Sequence, residues 1–198
     1  MQAWIIKMRC GSAKPRNLRG WRWLGLTLAC FLGWPATRCG AQIATQHEYE
    51  LKAGCLYNII KYVEWPSDAL SSQPSDIQIG LLGTIQFADV LEQVLNGKTI
   101  QGHKLVVKRI SGSQEAANCQ VLFIGRSEKE RLAEIISEVK NRPVLTVGEV
   151  EGFAEMGGMV NLVSDSNRIM LEINHKVARD ARLRLSSQML KVAKLVPR

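Results

Sequence analysis

Acidic residues are absent from the first 41 positions of this 198-residue chain, where seven basic ones stand: Lys7, Arg9, Lys14, Arg16, Arg19, Arg22 and Arg38. That one-sided stretch carries most of the formal charge of +8, and without it 19 basic residues face 18 acidic ones. A nearly neutral remainder lacks the basic footprint of a nucleic-acid binder, so no nucleic-acid partner is expected. Histidine is scarce as well. His47, His103 and His175 are far apart, and no Gly-x-Ser-x-Gly elbow occurs, which argues against a nucleophilic triad. Neither paired cysteines nor histidines at helical spacing are present, so no metal site is expected, and no other cofactor. These absences point away from an enzyme.

Long apolar runs are also missing. The apolar stretch 23–34 has twelve residues and is broken by Pro35, too short to span a bilayer core of about 30 Å comfortably. With basic residues before it and Cys39-Gly40-Ala41 after it, residues 1–41 read as a signal peptide cleaved near Ala41. Residues 42–198 then form one exported domain, placed in the periplasm by the resemblance given below. Of the five cysteines, that domain retains only Cys55 and Cys119. In an oxidising compartment they suit either one disulfide or two buried small hydrophobes.

What is present is organised around the run from Leu51 to Pro66. Tyr49, Ala53, Leu56, Ile60 and Val63 recur at spacings of four and three, the apolar stripe of an amphipathic helix over 46–64. Pro66 stops it and pushes Trp65 out of helical geometry. The pattern suits a packing helix with a Trp-Pro plug. It equally suits a recognition surface in which Asn58, Lys61, Glu64 and Trp65 contact a partner where the helix ends.

Downstream, strands are expected at 77–82, 105–110, 121–124 and 144–147. Helices are expected at 86–95, closed by Asn96-Gly97, and at 127–141, opened by a capping box of Ser127 and Glu130. Strand-like runs at 159–163 and 169–173 read as an antiparallel hairpin on the sheet edge. Residues 175–181 read as helical, and Ser186 or Ser187 caps a last helix carrying Leu190, Val192, Ala193 and Leu195. Short apolar strands alternating with helices predict a three-layer α/β/α sandwich with a mixed, mainly parallel sheet. Gly80 and Gly83, before a helix, and Gly157 and Gly158, after the fourth strand, fit tight turns. They also fit the walls of a small-ligand pocket.

Four blocks together resemble the YfiR family of periplasmic regulators. The first is the run of Lys52-Ala53, Leu56-Tyr57-Asn58, Lys61 and Val63-Glu64-Trp65-Pro66. The second is Cys119-Gln120-Val121-Leu122-Phe123-Ile124. The third is Pro143-Val144-Leu145-Thr146-Val147 with Gly152-Phe153. The fourth is Gly157-Gly158-Met159-Val160-Asn161-Leu162-Val163, leading into Glu172-Ile173-Asn174, Leu183 and Ser186-Ser187-Gln188-Met189-Leu190. The resemblance implies a non-enzymatic periplasmic protein, often dimeric, that represses an inner-membrane diguanylate cyclase by binding its periplasmic domain. It also implies release by an outer-membrane lipoprotein, with cyclic di-GMP and biofilm as the output. A periplasmic small-ligand-binding domain feeding a sensor or transport system is the alternative expectation.

Overall fold

The computed structural model describes residues 39–70, 76–165 and 168–196. Most of the expected signal peptide lies outside them, while its cleavage point falls in the first turn of helix α1, Cys39–Lys61. Ala53, Leu56, Ile60 and Val63 of the predicted stripe are buried, Ile59 is buried beside them, and Tyr49 packs against the same core. The helix ends a turn earlier than expected. Val63–Glu64 forms a short strand, β1, that pairs antiparallel with β9, Arg184–Leu185. Extended backbone before a proline is favoured anyway, and the β9 partner extends it by two residues.

After β1 come β2 (Ile77–Leu82), α2 (Ala88–Leu95), β3 (Thr99–Ile100), β4 (His103–Ile110), α3 (Ser113–Ala116) and β5 (Val121–Ile124). Then follow α4 (Leu132–Val139), β6 (Leu145–Gly148), β7 (Val160–Asp165), β8 (Arg168–Ile173) and α5 (His175–Asp180). The chain closes, after β9, with α6 (Ser187–Val192) and β10 (Lys194–Leu195). The main sheet has eight strands in the order β10-β8-β7-β6-β5-β2-β4-β3. The five central strands from β4 to β7 are parallel; β3 and β8 run antiparallel to their neighbours β4 and β7. The hairpin is therefore not the edge, because β10 pairs parallel with Glu172 and Ile173 beyond it.

Both sheet faces are covered, which explains the unbroken apolar runs of the central strands. Ile77, Ile79 and Leu81 of β2, with Val121 and Phe123 of β5, face a core closed by α1 and α2. Leu82, Leu122 and Ile124 face a second core closed by α4 through Leu132, Ile135 and Val139. Each such side chain contributes roughly 1.5–3 kcal/mol on burial. The result is an α/β/α sandwich.

One local expectation fails for a tertiary reason, and of the two readings left open for the cysteines the structure shows free thiols, not a disulfide. Ser127 caps no helix: α4 starts at Leu132 after a 3-10 run, Arg126–Arg131, and the Ser127 hydroxyl instead accepts from the Thr84 backbone N–H at 2.8 Å. Cys55 and Cys119 are both free thiols. Cys55 packs on the α1 core, whereas Cys119 lies on the α4 face against Gly80, so the sheet separates them and no disulfide joins them. Burial raises both thiol pKa values.

Candidate functional site

The chain leaves β2 for α2 on one face of the sheet and leaves β5 for α4 on the other. Adjacent parallel strands whose connections diverge leave a crevice at their C-terminal ends, the usual ligand position in open α/β sheets. Close approach builds it here. A Cβ on Gly83, at φ +84°, would lie 2.5 Å from Ser127 Oγ, and one on Gly125 would lie 2.7 Å from the Thr84 carbonyl oxygen.

A cavity of about 370 Å³ at this point is lined by Glu48, Lys52, Gln86, Phe87, Arg126 and Glu149, among others. Lys52 is its centre and is only 3% exposed. Its ammonium donates to Glu149 Oε2 at 2.8 Å and to Glu48 Oε1 at 2.9 Å, and it lies 5.4 Å from the centre of the Phe87 ring. Burial alone would lower the lysine pKa, but the bonds to Glu149 and Glu48 outweigh it and hold the pKa above the ordinary value. Hydrogen bonds from Lys52 and from Ser164 Oγ, the latter at 2.7 Å, hold the Glu48 carboxyl below its ordinary value. Tyr49 Oη donates to Gln86 Oε1 at 3.0 Å across the cavity mouth. Arg126 Nε donates to the Glu149 carbonyl at 3.0 Å. These contacts clamp the first half of α1 onto the strand ends through paired charges.

The other half of α1 borders a different surface. A groove of about 500 Å³ is lined by Cys55, Asn58 and Ile59 of α1, Tyr62 just beyond it, Ile169 and Leu171 of β8, and Met189 and Val192 near the C-terminus. Val192 is 77% exposed, and Met170 and Leu195 are exposed nearby in sequence. Of the expected partner residues, Asn58, Lys61 and Glu64 are exposed. Trp65 is half-buried against the α1 core, with its indole nitrogen buried and without a partner among the described residues.

The four glycines do not share one pocket. Gly83 belongs to the crevice, whereas Gly157 and Gly158 precede β7 at the opposite end of the strands. Gly157 lines a separate cavity of about 360 Å³ beside α4 and α5. The space at Gly158 is filled by the Phe153 ring, 2.1 Å from where a Cβ would stand, and Gly148 clasps the same ring at 2.5 Å. The Cys119 thiol, 2.8 Å from a Cβ position, fills the space at Gly80. At Gly80, Gly148 and Gly158 a neighbouring side chain occupies the space that a Cβ would take.

Sequence reasoning missed Lys52 with Glu149, Arg126 and Asn161. The spacing of Glu48 and Lys52 announces an i,i+4 pair. The acid that completes it stands 97 residues later, just after an apolar strand. Asn174, also missed, is buried; its Oδ1 accepts from the Val177 N–H at 3.1 Å to cap α5, and its Nδ2 donates to the Ala154 carbonyl. Among the described residues, no group of three or more His, Cys, Asp or Glu is placed to hold a metal, and no helix is long and apolar enough to cross a membrane.

One structural likeness is to the crystal structure of the ABC domain in complex with L-Trp from Streptococcus pneumonia. Identity is 12% and the TM-score 0.45, and the match covers 64% of this chain and 57% of that one. A likeness of that size bears on neither ligand nor partner. A family model described as YfiR/HmsC-like (DUF4154) matches residues 49–194, from the first turns of α1 that reach the crevice to β10. Members of that family are periplasmic regulators of cyclic di-GMP signalling rather than enzymes, acting with a membrane signalling protein. With the α/β sandwich and all four sequence blocks inside or beside the matched span, this chain belongs to the YfiR/HmsC-like family.

Proposed function

We propose that this protein, exported by residues 1–41, binds the periplasmic part of an inner-membrane diguanylate cyclase and restrains it without chemistry of its own. Cyclic di-GMP, and through it biofilm output, would then fall as the amount of free protein rises. Family membership over residues 49–194 carries this reading. The surface that supports it is the second half of α1. Asn58, Lys61 and Glu64 offer exposed polar groups beside an apolar groove, the mixture from which protein interfaces are made. Trp65 supports that surface from below. An outer-membrane lipoprotein competing for the same face would relieve the restraint, and a homodimer would set how many faces are presented.

The test is capture from solubilised envelopes by the tagged full chain, with cyclic di-GMP measured in cells lacking the protein. Recovery of an inner-membrane cyclase and a rise in cyclic di-GMP are expected. Lys61→Glu should weaken capture about tenfold, which corresponds to ~1.4 kcal/mol. Unchanged affinity in Lys61→Glu, Asn58→Ala and a folded Trp65→Ala variant would remove the helix end from the interface. No retained envelope protein, with saturable thermal stabilisation by a small metabolite, would favour the ligand-binding alternative.

A further inference from the structure

Beyond the Lys52 crevice, and sharing Arg126 and Glu149 with it, a cavity of about 560 Å³ opens along β7 and the turn that follows β6. Its lining includes Arg126, Lys129, Glu149, Glu151, Asn161 and Glu172. Asn161 is the informative member. It is 1% exposed, its Nδ2 donates to Glu172 Oε2 at 3.1 Å, and its buried Oδ1 has no partner among the described residues. Turning the amide over would set oxygen against the Glu172 carboxylate, so the bond to Glu172 fixes the acceptor where it is. A buried acceptor without a donor is costly, and such groups are normally satisfied.

The charges around it are unequally committed. Glu149 is taken by Lys52, and Glu172 by Lys194 at 2.9 Å. Arg126 is held by its Nε alone, which leaves its two terminal amines without an acceptor among the described residues. Lys129 makes no ion pair among them, and Glu151 is exposed. The free capacity is thus two cationic side chains, one carboxylate and one buried amide oxygen.

We infer that this cavity binds a small zwitterion, its ammonium donating to Asn161 Oδ1 and its carboxylate received by Arg126 and Lys129. A simple anion would leave the buried Asn161 Oδ1 without a donor, and a simple cation would make no use of the exposed Arg126 and Lys129. The volume is in the range of ordinary small-molecule sites. Asn161 Oδ1 is buried, while Arg126, Lys129 and Glu151, which line the same cavity, are exposed at its mouth. The inference goes beyond the regulator reading and does not depend on it.

The experiment is calorimetric titration of the full chain with unbranched ω-amino carboxylates of increasing length, with acetate and ethylammonium as single-charge controls. At least one zwitterion should bind saturably with a Kd at least tenfold below that of either control. Arg126→Gln, an exposed change, should raise that Kd at least tenfold. Asn161→Leu should abolish binding, and Arg126→Gln keeps the test decisive if Asn161→Leu fails to fold. Equal affinity for acetate and the zwitterions, no binding by any member up to 10 mM (about −2.7 kcal/mol), or an unchanged Kd in Arg126→Gln would overturn the inference.

Discussion

The two cavities that flank α1 are similar in size and opposite in chemistry. At its first half, about 370 Å³ is bounded by Glu48, Lys52, Arg126 and Glu149. At its second half, about 500 Å³ is bounded by Cys55, Ile59, Tyr62, Leu171 and Met189. One helix is therefore held by ion pairs at one end and by apolar packing at the other. Charge pairing in a nearly dry site fixes orientation but is intolerant of a missing partner. Apolar packing tolerates modest change and leaves an adaptable surface.

The comparison breaks most sharply at Lys52. Lys52→Met leaves Glu149, whose side chain is 7% exposed, as a buried unpaired charge. Urea denaturation should show a loss of about 3–5 kcal/mol. Lys52→Met combined with Glu149→Leu should recover most of it, because an apolar pair replaces a paired charge. Equal losses in the single and double variants would show that the ion pair does not govern this end.

At the apolar end, Ile59→Val should cost only about 0.5–1.5 kcal/mol, since Ile59 is 1% exposed but loses a single methylene. On the same helix, Gly54→Ala should gain about 0.5–1 kcal/mol, because a Cβ there meets nothing within 4 Å.

The two ends should also differ in pH response. The folded pKa values of Glu48 and Glu172 are lowered, by Lys52 and by Lys194 respectively. Their contributions are present above the ordinary glutamate value of about 4.3 and are lost as pH falls through the depressed folded values. Lys52 has a raised value, so its contribution is full below about 10.4 and is lost as pH rises through the folded value. Ile59→Val should leave the acid slope of the stability curve unchanged, and Glu48→Gln should flatten it; identical slopes would erase the distinction between the ends.

The smallest effect is chemical. Alkylation without reductant, followed by peptide mass spectrometry, should label Cys55 and Cys119 fully in the unfolded chain. In the folded chain the half-buried Cys55 should label faster than the buried Cys119. A linked pair of peptides would refute the separation of the two thiols by the sheet.

Periodicity made much of the fold legible. β2 and β5 occupy the residues expected from their apolar runs, and the stripe of α1 is the buried one. Local signals failed where a distant group competed for them. Ser127 has the spacing of a cap, yet Thr84 claims its hydroxyl. Gly158 has the look of a ligand-facing glycine, yet Phe153 occupies its space. The candidate site was hidden for the same reason: Asn161 stands among the apolar residues that open β7, and Glu149 comes just after β6, so neither has a polar neighbour in sequence that points to its distant partner.

The sequence by itself determined the alternation of strands and helices, the apolar stripe of α1 and the family blocks, because each is written in neighbouring residues or in fixed short spacings. Only the tertiary structure decided that Lys52 meets Glu149, that Cys55 and Cys119 lie on opposite faces, and that Asn161 keeps an unpaired oxygen over a cavity. Those facts follow from strand order. With β2 seated between β4 and β5, the strand ends converge on one crevice, and residues about a hundred positions apart come within hydrogen-bonding distance.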